Sequence, residues 1–480
     1  MKLKDLLHGI DILEMTADPE MEILGLSSDT REAFAAGTLF VALSGFAVDG
    51  NRFIPMAMDK GAVAAVTAKK PAIDVPYILV ENDRLALAQI AANFYGHPAD
   101  SMVMIGVTGT NGKTSVTWLL KQLLEKVTGE KVGLIGTMEN HIGDLVLDTD
   151  RTTPESIQLQ RLFARMRDAH CRYAVMEVSS HAIALHRVEG IRFAVGAFTN
   201  LTEDHLDFHQ TMEHYGATKA QLFAHCDKAV VNSDCPWGQR MVAGRDLPTI
   251  ATSVDGCGDL MAKNINYSGN GVDFTAVFGE KSVAVHVPIP GKFTVYNVLT
   301  VLGIALQLGI SLESAAAALR DIRGVKGRVE VVPTPGKEYT LLIDYAHTPD
   351  GLENVLSAVR GFCKGRLIAV FGCGGDRDRK KRPIMGEIGV RLSDVAIITS
   401  DNPRTEVPIA IIQDILAGVG DAQNFVAIEN RVDAIHYAME IAKKDDIIVL
   451  AGKGHETYQE VMGVKHHMDE REIVAEYLEN

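Results

Sequence analysis

An apolar stretch that runs directly into a glycine-rich turn constrains the fold of this chain more than any other feature. Residues 103–107 are apolar, residues 108–114 read TGTNGKT, and residues 116–120 continue as an apolar-rich segment. This order predicts a buried strand, a tight turn and a helix that begins at Lys113. Such a turn presents consecutive backbone N–H groups and a helix N-terminus to an anion. The pattern therefore predicts an α/β sheet that binds the phosphates of a nucleoside triphosphate.

The side chains of this turn have distinct expected roles. Lys113 supplies a point charge to the outer phosphates, and the Thr114 hydroxyl is a ligand for Mg²⁺. The general P-loop pattern has glycine five residues before Gly112, where this chain has Val107. The loop is thus a variant, and the alternative interpretation is an ordinary strand-to-helix turn of small residues.

Charge and cysteine content exclude several classes of protein. The net charge of −15 argues against a nucleic-acid-binding surface. Six scattered cysteines without a Cys-x-x-Cys pair are typical of a reducing compartment and argue against a disulfide framework or a zinc site. The N-terminus carries no apolar signal segment, and no apolar run reaches membrane-spanning length. We expect a cytoplasmic protein without membrane insertion.

The alternation of strand-like and helix-like segments predicts an α/β protein of three domains. Residues 1–98 are expected to form a small N-terminal α/β domain. Residues 99–327 are expected to form a central P-loop domain, with a doubly wound, mostly parallel sheet and an antiparallel portion near 260–290. Residues 328–480 are expected to form a C-terminal Rossmann-like α/β domain.

Three strands of the C-terminal region each run into a polar loop. The strands are predicted at 367–371, 395–399 and 447–450. Because ligands bind beyond the carboxyl ends of parallel strands, the three loops are expected to converge.

The side chains of these loops suit a zwitterionic amino acid. Arg377 and Arg404 can each clamp a carboxylate, while Asp401 and Glu456 can accept from ammonium groups. The alternative for Arg377 is a solvated position in the basic run 377–382.

Three side chains of the central region could carry chemistry. Glu177 ends an apolar strand, where it could hold Mg²⁺ or orient water, or simply cap a helix as a loop acid. His205 follows another strand and is either a metal ligand or a satisfied loop histidine. Lys219 shares a helical stripe with Tyr215 and Phe223, and lysine is unusual on an apolar face. Its amine either reaches the surface along its stem or is buried near metal.

Together these motifs resemble the Mur ligase family, ATP-dependent enzymes that build the peptide of bacterial peptidoglycan. The motifs follow one another along nearly the whole chain: residues 108–114, 177–181, Asn200 with 204–207, Tyr215 with Lys219, Asn297, 327–328 and 344–349. The variant P-loop is the form that this family uses. The resemblance implies ATP as co-substrate and Mg²⁺ as cofactor.

The resemblance also implies a role for each matching position. The catalytic residues are Lys113, Lys219, Glu177 and His205. The metal ligands are Thr114, Glu177, His205 and Lys219, the last as the carbamate N6-carboxylysine. The ATP contacts are Gly109, Thr110, Asn111, Gly112, Lys113, Thr114, Ser115, Asn297, Arg328 and Asp344. The contacts to a UDP-muramyl dipeptide are Ser28, Thr152, Thr153, Ser179 and Arg187, and Leu185 departs from the glutamine of some relatives.

The loop 400–404, which reads SDNPR, resembles the signature of family members that add meso-diaminopimelate to UDP-N-acetylmuramoyl-L-alanyl-D-glutamate. The implied amino-acid site comprises Arg377, Asp401, Asn402, Arg404, Gly452 and Glu456. Diaminopimelate has a distal carboxylate that lysine lacks. An arginine built for it would be left buried and unpaired with lysine bound, which discriminates by roughly 10⁴–10⁵.

The implied reaction proceeds in two steps. ATP phosphorylates the γ-carboxylate of the D-glutamyl residue, and the amine of the amino acid then displaces phosphate from the acyl phosphate. Closure of the C-terminal domain is expected to exclude water. A monomer is expected. The alternatives are lysine as the added amino acid, another Mur or folylpolyglutamate-type ligase, a P-loop motor or switch, and a non-catalytic UDP-sugar-binding module.

Overall fold

The computed structural model describes residues 1–32, 34–45, 49–269 and 271–479. Packing divides these residues into two compact units. The first unit comprises residues 1–260 and 300–311, and the second comprises residues 261–299 and 312–480. Both units combine helices with sheets, which confirms the predicted α/β class.

The first unit begins with a small sheet. Its elements are α1 (Leu3–Leu6), β1 (Ile12–Met15), β2 (Gly25–Ser27), β3 (Thr38–Ala42), α2 (Ile54–Asp59), β4 (Ala62–Thr67), β5 (Tyr77–Val80) and α3 (Asp83–Tyr95). The strand order is β1-β5-β4-β3-β2, and only the β1–β5 pair is antiparallel among these. Asn82 caps α3 by accepting from the amides of Arg84 and Leu85, and left-handed Gly96 ends it.

The P-loop lies in a larger sheet of the same unit. Its strands are β6 (Val103–Thr108), β7 (Val132–Ile135), β8 (Asn140–Ile142), β9 (Leu145–Leu147), β10 (Tyr173–Glu177), β11 (Val195–Phe198), β12 (Ala229–Asn232) and β13 (Thr249–Ser253). Its helices are α4 (Lys113–Thr128), α5 (Ser156–Asp168), α6 (Ser180–Ala184), α7 (Leu206–His209), α8 (Met212–Ala220) and α9 (Gly238–Val242).

The order of these strands positions the candidate site. From β13 the sheet runs β12-β11-β6-β10-β7 in parallel, and β8 and β9 continue it antiparallel. Strand β6 is therefore flanked by β10 and β11. The carboxyl ends of these three neighbours bring the P-loop, Glu177 and the loop at Asn200 to one edge, as expected for a parallel sheet.

The second unit opens with three strands, and the last two of them pair antiparallel, as predicted for residues 260–290. These are β14 (Leu260–Ser268), β15 (Gly271–Phe278) and β16 (Lys281–Val287). They are followed by α10 (Lys292–Gln307), whose residues from 300 onward belong to the first unit, and by α11 (Leu312–Leu319). Strands β15 and β16 pair over their whole length from Val272 to Val287.

A mostly parallel sheet forms the rest of this unit. Its strands are β17 (Glu330–Val332), β18 (Thr340–Asp344), β19 (Leu367–Phe371), β20 (Val395–Ile398), β21 (Phe425–Ala427) and β22 (Ile447–Ala451). Its helices are α12 (Pro349–Arg360), α13 (Lys381–Leu392), α14 (Pro408–Leu416), α15 (Arg431–Ile441) and α16 (Glu470–Glu479). A separate hairpin consists of β23 (Tyr458–Val461) and β24 (Val464–His467).

In this sheet the strand order is β17-β18-β22-β19-β20-β21, with β17 antiparallel to β18. The parallel strands β22, β19 and β20 are neighbours, so the three polar loops that follow them share one edge. The predicted convergence of these loops is confirmed.

Two further expectations concern the whole chain. Within the described ranges, no helix is both long and apolar enough to cross a membrane. All six cysteines are free thiols.

Candidate functional site

The P-loop adopts a backbone that requires glycine at two positions. Gly109 has a φ of +145°, and a Cβ there would lie 1.9 Å from Oγ1 of Thr199. Gly112 has a φ of +86° and is the N-cap of α4, where it offers no side chain to the amides of the first turn. Those amides form the positive end of α4, as an anion site requires.

Two amides of the loop donate to protein acceptors, so the consecutive N–H groups expected to face an anion are not all left open to one. The amide of Thr110 donates to the carbonyl of Asn200 at 2.8 Å, and the amide of Asn111 donates to Oδ1 of Asn200 at 3.0 Å. Oγ1 of Thr199 donates to the carbonyl of Asn111 at 2.6 Å. The loop after β11 therefore braces the P-loop, because β11 lies directly beside β6.

Two lysines meet at one carbonyl of this loop. Nζ of Lys113 donates to the carbonyls of Gly109 at 2.9 Å and Thr110 at 2.8 Å. Nζ of Lys219 donates to the same Gly109 oxygen at 2.9 Å. Lys219 is only 1% exposed, so the alternative that its amine reaches the surface is wrong.

The environment of Lys219 favours a neutral amine. Burial, followed by repulsion from Lys113, holds the pKa of Lys219 well below its usual range. The ring of Tyr215 lies 4.6 Å from Nζ, and the Tyr215 hydroxyl is 3.2 Å from Oγ1 of Thr110. A neutral amine is a nucleophile, whereas an ammonium group is not.

Glu177 ends β10 beside the helix that begins at the P-loop. It is buried, its Oε1 accepts from the amide of Thr137 at 2.8 Å, and its Oε2 accepts from Oγ1 of Thr137 at 3.0 Å. Oγ1 of Thr114 donates to the same Oε2 at 3.1 Å. The helix-capping alternative is wrong, because the hydroxyl of Ser179 caps α6.

These oxygens form part of a donor set that suits Mg²⁺. Among the described residues there is no group of three histidine, cysteine, aspartate or glutamate side chains that could hold a metal. The hydroxyl of Thr114 and the carboxylate of Glu177 fit the preference of Mg²⁺ for oxygen, and a carbamate on Lys219 would add a further oxygen donor. An unmodified, cationic Lys219 does not fit.

His205 lies at the start of α7 in the left-handed region, with a φ of +52°. Its Nε2 is 3.4 Å from Oδ2 of Asp204, and its ring centroid is 4.8 Å from that of His181. About half of its side chain is exposed, so the ring can reach a ligand. Its role as a metal ligand stays a prediction.

A cavity of about 360 Å³ collects most of the residues predicted to hold the UDP-muramyl dipeptide. Thr152, Thr153, Ser179 and Arg187 all line it, and His205 lines it as well. Ser28 follows β2 and is not among the lining residues of this cavity.

Arg187 is the buried cation of the cavity. Its Nη1 donates to the carbonyl of Thr153 at 3.1 Å, and its Nη2 donates to Oε1 of Glu155 at 2.5 Å. Burial lowers its pKa. Oγ1 of Thr153 donates to the carbonyl of Glu177 at 2.8 Å, which links the cavity wall to the end of β10.

The second unit contains the remaining positions predicted to contact ATP. Asp344 ends β18, where its carboxylate accepts from the amides of Val329 and Ala346 at 2.8 Å each. Burial raises the pKa of Asp344. The guanidinium of Arg328 lies 5.3 Å from the ring of Tyr345, so Arg328 and Asp344 are neighbours. Asn297 is buried on α10.

The predicted amino-acid site is assembled by the loops after β19, β20 and β22. Nδ2 of Asn402 donates to Oε2 of Glu456 at 2.8 Å, and the amide of Gly375 donates to the carbonyl of Asn402 at 2.9 Å. Oδ2 of Asp401 is buried with no partner among the described residues. A Cβ at Gly452 would lie 2.5 Å from that oxygen. An unpartnered carboxylate oxygen suits a substrate ammonium group.

Arg404 is held in place by the hairpin of β23 and β24. Its backbone φ is +51°, its amide donates to the carbonyl of Glu460 at 3.0 Å, and its carbonyl accepts from the amide of Met462 at 2.6 Å. The amide of Glu460 donates to Oδ1 of Asn402 at 2.8 Å, and Nε2 of Gln459 donates to the carbonyl of Asp401 at 2.7 Å. Loop and hairpin therefore form one connected structure.

The guanidinium of Arg404 has partners without any ligand. Nη1 donates to the carbonyl of Gly375 at 2.8 Å, and Nε lies 3.3 Å from Oε2 of Glu460. The expectation that this arginine is left unpaired without a distal carboxylate is therefore wrong. Arg377 is exposed beside Gly374, which agrees with the alternative interpretation of a solvated position in the basic run 377–382.

Sequence reasoning missed three buried cations around this site. Arg382 ends the basic run yet is fully buried, with Nη2 2.7 Å from Oε1 of Glu406. Arg431 pairs with Glu470, and Lys453 is buried behind Asn402 and Glu456. The partners of Arg382 and Arg431 are distant in sequence, whereas Lys453 pairs with Asn402 and Glu456, which were already assigned to the site from the sequence. Of the three, only Arg382 could have been recognised from the sequence, because its spacing from Met385 and Ile388 places it on the apolar side of α13.

Comparison with known proteins gives a consistent result over the whole chain. Three Mur ligase family models match in succession: the catalytic domain over residues 23–95, the middle domain over 107–305 and the glutamate ligase domain over 327–454. A UDP-N-acetylmuramoyl-L-alanyl-D-glutamate--2,6-diaminopimelate ligase of Clostridium tetani is 46% identical, covering 100% of this chain and 99% of the relative. The ligase of the same name from Caldanaerobacter subterraneus is also 46% identical, with the same coverage of both proteins. A solved structure of a ligase so named superimposes with a TM-score of 0.77 at 30% identity, covering 100% of this chain and 99% of that one.

Proposed function

The chain belongs to the Mur ligase family, and we propose that it joins meso-diaminopimelate to the D-glutamyl γ-carboxylate of UDP-N-acetylmuramoyl-L-alanyl-D-glutamate, with ATP as the energy source. The observation that carries the proposal is the full-length likeness, at 46% identity, to relatives named for this reaction. The P-loop and the loop of Arg404 both lie within the matched length. The product is a precursor of peptidoglycan.

In the first step the γ-phosphoryl group of ATP passes to the γ-carboxylate. The first-turn amides of α4 and the ammonium of Lys113 bind the phosphate oxygens. Thr114, Glu177, His205 and the carbamate of Lys219 would hold Mg²⁺, which neutralises charge on the transferring phosphoryl group when bound.

The carbamate of Lys219 forms by an uncatalysed addition. The neutral amine attacks CO₂, one N–C bond forms, and a proton is lost to solvent. Burial, followed by repulsion from Lys113, lowers the pKa of Lys219, and this direction of shift supports the step because it favours the nucleophilic form of the amine. The modification also places an anion beside the ammonium of Lys113, which is a favourable pairing of opposite charges.

In the second step the free amine of diaminopimelate attacks the acyl phosphate, and phosphate leaves. Asp401 and Glu456 accept from the distal ammonium group, and Arg404 receives the distal carboxylate. The cavity residues Thr153 and Arg187 orient the muramyl dipeptide. No side chain of the enzyme has to act as a nucleophile.

The setting of the reaction follows from its substrates. We place the enzyme in the cytoplasm, where ATP and reduced thiols occur, and its free cysteines support this assignment. One chain supplies every residue named above, so the proposed active form is a monomer.

Phosphate release tests the proposal directly. The purified protein is given ATP, Mg²⁺ and the UDP-muramyl dipeptide, with diaminopimelate, lysine or ornithine as the acceptor. We expect phosphate release that depends on both the dipeptide and diaminopimelate. Comparable turnover with ATP alone favours a motor or switch, and efficient turnover with lysine changes the assigned amino acid. Binding of the dipeptide without ADP formation in any mixture favours a non-catalytic module.

A further inference from the structure

Lys453 is a buried cation at the amino-acid site that the resemblance leaves without a role. It lies just after β22 and is 0% exposed. Its Nζ donates to Oδ1 of Asn402 at 3.2 Å and to Oε2 of Glu456 at 3.1 Å. The ring of Tyr458 lies 5.5 Å from the same Nζ. Buried lysines are rare unless paired, so this arrangement indicates a specific function for the charge.

Lys453 contributes to fixing the orientation of the side-chain amide of Asn402. Oδ1 of Asn402 accepts from two donors, Nζ of Lys453 and the amide of Glu460. Nδ2 is thereby directed at Oε2 of Glu456. In the opposite orientation of this amide, its N–H groups would face both donors, so Lys453 and the amide of Glu460 together select the observed orientation.

The two carboxylate oxygens of Glu456 differ in their hydrogen bonding. Oε2 accepts from both Lys453 and Asn402. In the part of the chain that the structure describes, Oε1 has no hydrogen-bond partner, and the side chain is 14% exposed. One oxygen is thus fixed by the protein, and the other is left for a substrate donor.

We propose that Lys453 is a positioning residue for the added amino acid, because it aims Oε1 of Glu456 at the distal ammonium group. Lys453 does not touch the substrate; it acts through Glu456 and Asn402. The inference rests on the proposed function in that it takes an amino acid with a distal ammonium group as the ligand of these loops.

The test uses the full-length enzyme and the variant Lys453→Met, which keeps an unbranched side chain shorter by one atom and removes its charge. We expect KM for diaminopimelate to rise about 10- to 100-fold, the range for losing a charge-assisted hydrogen bond. The KM values for ATP and the UDP-muramyl dipeptide are expected to stay within about threefold. Lys465→Met is the matched control, because the exposed Lys465 lies 4.1 Å from the ring of the same Tyr458.

Hydroxylamine separates positioning from folding. It traps an acyl phosphate as a hydroxamate without an amino-acid site, so Lys453→Met is expected to form hydroxamate at nearly the wild-type rate. If this variant loses hydroxamate formation, Lys453→Gln is measured, since glutamine retains one donor. Loss in both variants overturns the proposal and leaves Lys453 with a purely structural role. An unchanged KM for diaminopimelate in a folded variant overturns it as well.

A double-mutant cycle shows whether Lys453 acts through Glu456. The combined variant Lys453→Met with Glu456→Gln is expected to raise KM no further than Glu456→Gln alone, because the two residues serve one contact. Additive effects would contradict the proposed route. If the wild-type enzyme releases no phosphate in response to an amino acid, the proposed function fails, and that outcome is distinct from any result with the variants.

Discussion

Replacement of Arg404 by alanine tests how this site distinguishes diaminopimelate from lysine. With diaminopimelate bound, we expect the guanidinium to exchange its present contacts for a substrate carboxylate. With lysine bound, it keeps the carbonyl of Gly375 and the carboxylate of Glu460, which it already contacts without ligand. The penalty for lysine is thus the loss of one charge-assisted interaction and not the burial of an unpaired cation.

That difference sets the magnitude. A hydrogen bond to a charged group contributes about 1.5–3 kcal/mol, which corresponds to roughly 10- to 150-fold in kcat/KM. We expect Arg404→Ala to lower kcat/KM for diaminopimelate by that factor and to change kcat/KM for lysine by less than about threefold. This is well below the roughly 10⁴–10⁵ that an unpaired buried arginine would give.

The assay is phosphate release at varied concentrations of either amino acid, with the other substrates saturating. Arg391→Ala is the control, because Arg391 is an exposed arginine that pairs with Glu353 and Glu387. A fall in selectivity of 10⁴-fold or more would refute the argument that Arg404 keeps its partners. Equal losses with both amino acids would remove Arg404 from the carboxylate-binding role.

Three other substitutions test separate parts of the structure. Lys219→Ala is expected to abolish hydroxamate formation with hydroxylamine, because it removes the amine that becomes the carbamate, and activity close to wild type would exclude that role. Thr114→Val is expected to raise the Mg²⁺ concentration for half-maximal phosphate release, since it removes the hydroxyl that meets Glu177 at 3.1 Å, and an unchanged Mg²⁺ curve would argue against this ligand. Arg382→Met is expected to lower the free energy of unfolding by about 1.5–3 kcal/mol, measured by urea titration, because it removes the charge-assisted hydrogen bonds that Arg382 donates to Glu406. The guanidinium of Arg382 holds the pKa of Glu406 at about 2, against an ordinary value of 4.5. The stabilisation from this pair is therefore present above pH 4.5 and is lost as the pH falls towards 2. The free energies of unfolding of wild type and variant should accordingly converge at low pH.

Much of the fold followed from the sequence because strand-to-loop patterns are local. Strand β19 was predicted at its observed bounds, and the antiparallel segment near 260–290 was recognised from alternation. The burial of Lys219 was one of two alternatives, and its phase with Tyr215 and Phe223 pointed to it.

The remainder of the site depends on contacts that no local pattern encodes. Asn200 accepts hydrogen bonds from two P-loop amides, and it can do so only because β11 pairs with β6. Arg382 closes a basic run whose members at 377–380 are exposed, and its partner Glu406 lies 24 residues further along the chain. Lys453 is flanked by glycines, which conceal its burial from any periodicity.

The attachment of the hairpin to the loop of Arg404 bears on how amino-acid preference can be transplanted. Strand β24 is exposed along its whole length, and an isolated hairpin is at best marginally stable in water. Contacts with the loop 400–404 stabilise the hairpin. In turn, Glu460 of the hairpin orients the guanidinium of Arg404. Residues 400–404 grafted alone into a lysine-adding ligase would carry the arginine without the scaffold that orients it. Transfer of the amino-acid preference to another ligase therefore requires that residues 400–404 and the hairpin of β23 and β24 be exchanged together, although the two segments are distant in sequence.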